Sequence, residues 1–140
     1  MTLADLKPGL HHKETITVDE RLTVTKAVTM FTPSTDMPPV FATVFMIGFV
    51  EWTCMQALEP FLEPEQRSLG THVDLSHSAA TPIGMKVTAE VVLEAVENRK
   101  LRFKVVCRDE VDLICEGHHE RFVVDVNRFM AGLRKKQGLG

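Results

Sequence analysis

Cysteine is scarce in this sequence: Cys54, Cys107 and Cys115 make an odd number, with no CxxC pair and no Cys/His spacing of the structural zinc kind. That argues against a disulfide framework and for a reducing compartment, with the cytoplasm as the expected location. There is no GxSxG elbow, Walker loop or GxGxxG turn, which sets aside α/β-hydrolases, P-loop enzymes and dinucleotide enzymes. HExxH is also missing. The adjacent pairs His11-His12 and His118-His119 would point to opposite faces of a strand, so no metal site is expected. The opening MTLADLKPGLHHKE lacks the basic flank and apolar run of a secretory signal, and no lipidation signature follows. Neither sign of charge dominates, at a formal net charge of -3, so nothing in the overall charge draws the chain to nucleic acid. Repeats and low-complexity segments are absent.

What is present is an ordinary globular composition, 44% hydrophobic and 25% charged, over 140 residues. That length predicts a single domain spanning 1–140. The most apolar stretch runs from Pro38 to Pro60, PPVFATVFMIGFVEWTCMQALEP, with one carboxylate, Glu51, near its middle. It approaches the ~20 residues of a membrane span. Prolines bound it, however, and nothing else in the chain is apolar enough to accompany it. It is therefore read as the central helix of a soluble domain, starting at Pro38-Pro39 and ending near Leu58, apolar on nearly every side and so surrounded by protein. Gly48 costs about 1 kcal/mol of helix propensity relative to alanine and suggests that another backbone packs there.

Around this helix the pattern predicts strands. His12 to Val18 alternates, and Leu22 to Phe31 fits either a strand or a short helix. Thr32 to Pro39 is a proline-rich loop, and Glu59 to Ser68 is a polar connection. His72 to Ser78, Met85 to Ala95, Leu101 to Arg108 and Leu113 to Val126 then read as four antiparallel strands in a meander, with a hairpin turn at Glu97-Asn98-Arg99. Asn127 to Gln137 reads as a basic terminal helix capped by Asn127. The fold class is α+β: a long central helix wrapped by a curved antiparallel sheet of about five strands. A sheet on one helix leaves edges and helix ends to be covered, which makes a homodimer the expected assembly.

Glu51 is the first candidate for chemistry. A carboxylate in an apolar surround must be paired, hydrogen-bonded or protonated, and such groups collect at active sites; capping or pairing within the core, or pointing to solvent at an interface, would account for it equally. Thr43, about 12 Å earlier along the helix axis, sits near the helix start, where free amides stabilise a developing oxyanion. A local hydrogen bond would explain it equally. His77 shares the parity of Val73 and Leu75 and so faces the helix, either as a satisfied core histidine or as the partner of Glu51 in an acid/base pair. His72 and Asp74 fall on the opposite face. Cys54 has no basic neighbour and reads as structural. Arg128, Arg134, Lys135 and Lys136 make the last helix positive, as a solvated face or a handle for a nucleotide phosphate.

Three segments together, VFATVFMIGFVEWTCMQAL, SLGTHVDLSHSAATPIGM and GHHERFVV, carry a family resemblance. From about Pro38 onward the chain resembles the fluoroacetyl-CoA thioesterase-like family of the hot-dog superfamily. The resemblance implies a helix wrapped by an antiparallel sheet, a homodimer with acyl-CoA sites at its interface, and no cofactor. The family's catalytic threonine, glutamate and histidine match Thr43, Glu51 and His77, and would meet around a bound thioester. Its substrate-contacting glycine and arginine match Gly70 and Arg121. Its two gating phenylalanines correspond to Ser34 and Met37, so the fluoroacyl gate departs here, with Phe31 the nearest aromatic. The expected activity is hydrolysis of a small acyl-CoA thioester. A non-catalytic acyl-CoA or acyl-carrier binding module is the alternative, and a hydratase would want a different Asp/His arrangement.

Overall fold

The computed structural model describes residues 1–27 and 36–140. Five strands, β1 (His11–Thr17), β2 (Gln66–Leu75), β3 (Lys86–Glu97), β4 (Lys100–Arg108) and β5 (Leu113–Asp125), form one antiparallel sheet in the order β1-β3-β4-β5-β2. The helices are α1 (Val24–Ala27), α2 (Thr43–Leu58) and α3 (Val126–Lys136). Helix α2 packs against β1, β3 and β2, so the sheet curls around it from both edges.

Period-2 alternation builds the inner face. Val87, Ala89, Val91 and Leu93 of β3 and Leu101, Phe103, Val105 and Cys107 of β4 are all fully buried. Against them α2 presents Met46, Phe49, Val50, Thr53, Cys54, Ala57 and Leu58, a stripe with helical spacing. Each large side chain removed from water contributes about 1.5–3 kcal/mol. The hairpin at Asn98 uses a left-handed residue, φ 58°, as its turn requires.

The helix begins later than the prolines suggest. Val40 bridges Pro82 and Phe41 bridges Thr23, while the amides of Phe41 and Ala42 donate to the carbonyls of Thr81 and Leu22. These bonds hold 40–42 extended, and Ala42 becomes the N-cap. Nor is α2 enclosed on every side. Val44, Trp52 and Met55 are exposed on one flank, and among the described residues a Cβ built on Gly48 would meet nothing within 4 Å, so none of their backbone packs there.

The strands after the helix are not a simple meander. β3, β4 and β5 are, but β2 lies beyond β5 at the opposite edge from β1. After Leu75 the chain stays beside β5, with the amides of Ser76 and Ser78 donating to Glu116 and Ile114, before it crosses to β3. β2 also starts within the expected polar connection and stops before His77. The cap of α3 is Asp125, whose carboxylate accepts from the Arg128 amide at 3.0 Å, so Asn127 lies inside the helix. Of the ambiguous segment Leu22 to Phe31, Val24–Ala27 is helical; Phe31 and Ser34 lie outside the described residues. Among those residues no helix is long and apolar enough to cross a membrane.

Candidate active site

Thr43 is the first residue of α2, and the extended run before it aims its side chain at the segment following β2. Its hydroxyl lies 2.7 Å from Nδ1 of His77. The other ring nitrogen, Nε2, is buried and has no hydrogen-bond partner among the described residues. Burial holds the imidazole below its ordinary range, which favours the neutral ring. Phe41 meets the ring edge-on, with centroids 6.4 Å apart. A cavity of about 240 Å³ opens here, lined by Val24, Val40, Phe41, Thr43, His77 and Ala79 among others.

Glu51, two turns further along α2, is held by a different group. Its Oε2 accepts from Nη1 of Arg121 at 3.0 Å. It is not the enclosed acid that the apolar helix suggests, since its side chain keeps 39% of its exposure while Arg121 keeps 3%. The buried guanidinium is satisfied by its own sheet: Nε donates to the Ser68 hydroxyl at 2.9 Å, Nη2 to the Ser68 carbonyl at 2.8 Å, and Nη1 also to Nε2 of His119 at 3.1 Å. Gly70 is paired with Arg121 across the strands, and a Cβ there would stand 2.8 Å from the Glu51 carboxylate oxygen. The absence of a side chain is what lets the acid lie against the β2 backbone.

Within one chain the structure therefore forms two groups, Thr43 with His77 and Glu51 with Gly70 and Arg121. Among the described residues no hydrogen bond joins them. Met37 is exposed, and Ser34 is outside the described residues. His118 and His119 do point to opposite faces: His118 lies 3.3 Å from Glu94, and His119 is buried against Arg121. Cys54 is fully buried, and burial pushes its thiol up to about 12, so it is not ionised at neutral pH. Sequence reasoning missed Ser68 and His119. The available signal was parity along β5, where His119 and Arg121 alternate with the inward Val123.

A helix wrapped by a five-stranded antiparallel sheet is the hot-dog fold. A Thermus thermophilus protein of the thioesterase superfamily shares it with a TM-score of 0.85 at 24% identity, covering 97% of this chain and 96% of that one. A hot-dog-like protein from Thermanaerovibrio acidaminovorans does so at 0.80 and 18% identity, covering 94% and 93%. At the level of family, the profile for fluoroacetyl-CoA-specific thioesterase (FlK) matches residues 18–127. The fluoroacetyl-CoA thioesterase of Streptantibioticus cattleyicolor is 40% identical over 139 residues, 96% of this chain and 100% of that one. A solved structure of the fluoroacetyl-CoA thioesterase FlK has a TM-score of 0.89 at 39% identity, covering 94% of this chain and 97% of that one. The chain belongs to the FlK thioesterase family, whose chemistry is acyl-CoA thioester hydrolysis.

Proposed function

We propose that this protein hydrolyses a small acyl-CoA thioester to the free acid and CoA, with Thr43, Glu51 and His77 as the catalytic group. The observation that carries the reading is the Thr43–His77 hydrogen bond at the wall of a small cavity, with the second nitrogen of His77 left without a partner among the described residues. Glu51 supplies the carboxylate, as nucleophile or as general base toward water. His77, neutral at rest, takes up the proton released by the attacking water and delivers it to the departing thiolate, and Thr43, at the positive end of α2, hydrogen-bonds the thioester oxygen as charge develops. Gly70 and Arg121 hold the acid beside the substrate, and Met37 contributes to the acyl-facing wall. Solved complexes of FlK variants with acetyl-CoA, and with fluoroacetate and CoA, support the substrate class.

The working unit in this reading is a homodimer, in which Glu51 of one protomer completes the Thr43–His77 group of its partner. Two features support it. Val44, Trp52 and Met55 leave an apolar flank of α2 open beside Gly48, with room for another backbone. The free edge of β2 carries the exposed Leu69 and Val73, next to a hollow of about 690 Å³ lined by Trp52, Met55 and Leu62.

The test is thiol release from a panel of short acyl-CoAs. Glu51→Gln should lower kcat by about 10²–10⁴-fold while acyl-CoA binding persists. If the native chain binds every member of the panel and cleaves none, the hydrolase reading fails and a binding module replaces it.

A further inference from the structure

We propose that His119 is a positioning residue for hydrolysis: held as its Nδ1–H tautomer, it fixes Arg121 and through it the Glu51 carboxylate. This deepens the assignment of Glu51 above and rests on it. The tautomer follows from two independent contacts. Nδ1 lies 2.8 Å from the carbonyl of His72, which only accepts, so Nδ1 carries the proton. Nε2 lies 3.1 Å from Nη1 of Arg121, which only donates, so Nε2 offers its lone pair. Both contacts demand the same neutral ring. Full burial supports it by holding the imidazole below its ordinary range.

The consequence lies in the guanidinium's donors. Two N–H groups are taken by the hydroxyl and carbonyl of Ser68, which fix the plane of the fork. On Nη1, His119 takes one hydrogen and Glu51 the other. Without an acceptor at His119, the inward Nη1 hydrogen would be left buried and unpaired, the planar fork would shift to recover a bond, and the carboxylate it holds would lose its defined placement. Oε1 of Glu51 forms no bond among the described residues, so the contact through Oε2 sets where the carboxylate points.

Two substitutions separate the halves of the ring. His119→Asn keeps a donor where Nδ1 meets the His72 carbonyl and removes the acceptor for Arg121. His119→Gln keeps an acceptor near the Nε2 position and gives up the contact with His72. Turnover of acetyl-CoA should show kcat about tenfold lower in His119→Asn with KM little changed, the scale of one lost hydrogen bond to a charged group, and largely restored in His119→Gln. In an Arg121→Met background His119→Asn should cost nothing further. Nitrogen NMR of the native protein with labelled histidine should show Nδ1–H on His119, a reading that needs no variant to fold. An imidazolium, or the Nε2–H tautomer, would overturn the proposal. So would wild-type kcat in His119→Asn while Glu51→Gln is inactive, and in that case the reading of the site itself survives. Full activity in Glu51→Gln would remove both.

Discussion

His77 bonds Thr43 through one nitrogen, while burial of the ring disfavours its charged form. In the unfolded chain the imidazole gains its proton near 6.5, and in the folded chain only at lower pH. Between those values acid is taken up by the unfolded state alone, so stability is full above 6.5 and falls as pH drops through the folded value. His119 contributes with the same sign. Thermal melts between about pH 5 and pH 8 should show a Tm that is level at the upper end and declines on the acid side, less steeply in His77→Gln. The acid limb of kcat/KM should likewise lie below 6.5, and a limb above that value would mean that the neutral ring is not the working form. At this scale the sequence shows Glu51 as an anomaly within an apolar run but not what holds it. Arg121 is 70 positions away and meets the acid only through the pairing of β2 with β5.

Among the elements, β2 and β5 meet at Gly117 with no room for a side chain. Its φ of 149° lies in a region that residues with side chains avoid, and a Cβ there would stand 1.9 Å from the carbonyl oxygen of Asp74. Gly117→Ala should therefore destabilise the fold by about 2 kcal/mol or more, read as a lower denaturant midpoint with an unchanged slope. Gly48→Ala on α2 meets nothing within 4 Å among the described residues. The strands β3, β4 and β5 were legible because one face of each is buried and the other is wet, so period 2 stands out. The start of α2 was not, because 40–42 are held extended by Leu22, Thr23, Thr81 and Pro82, partners that no local pattern reveals.

For the whole molecule, local alternation identifies strands and says nothing about which edge each one joins. The placement of β2 beside β5 is decided instead by the run from Gln66 to Ser78 staying bonded to β5. That placement puts an exposed strand edge and the open flank of α2 on one side, and the proposed homodimer follows from it. Sedimentation of the native chain should give a dimer, and Val73→Lys on that edge should shift it toward monomer with a parallel loss of turnover. A native monomer with full activity would exclude a site shared between protomers.

The register of β2 against β5 slips once. Gly70 faces Arg121 and His72 faces Glu120, so Thr71 is an extra residue on β2. Before it, even-numbered residues such as Ser68 and Gly70 turn inward; after it, the odd-numbered Leu75 and His77 do. Removing one residue here would turn either Gly70 or His77 away from the helix. Evolution can therefore exchange side chains between Gln66 and His77 far more easily than it can change their number. An alignment of proteins sharing this site should run through that window without a gap, which makes its length a lineage marker alongside the acid, the threonine and the histidine.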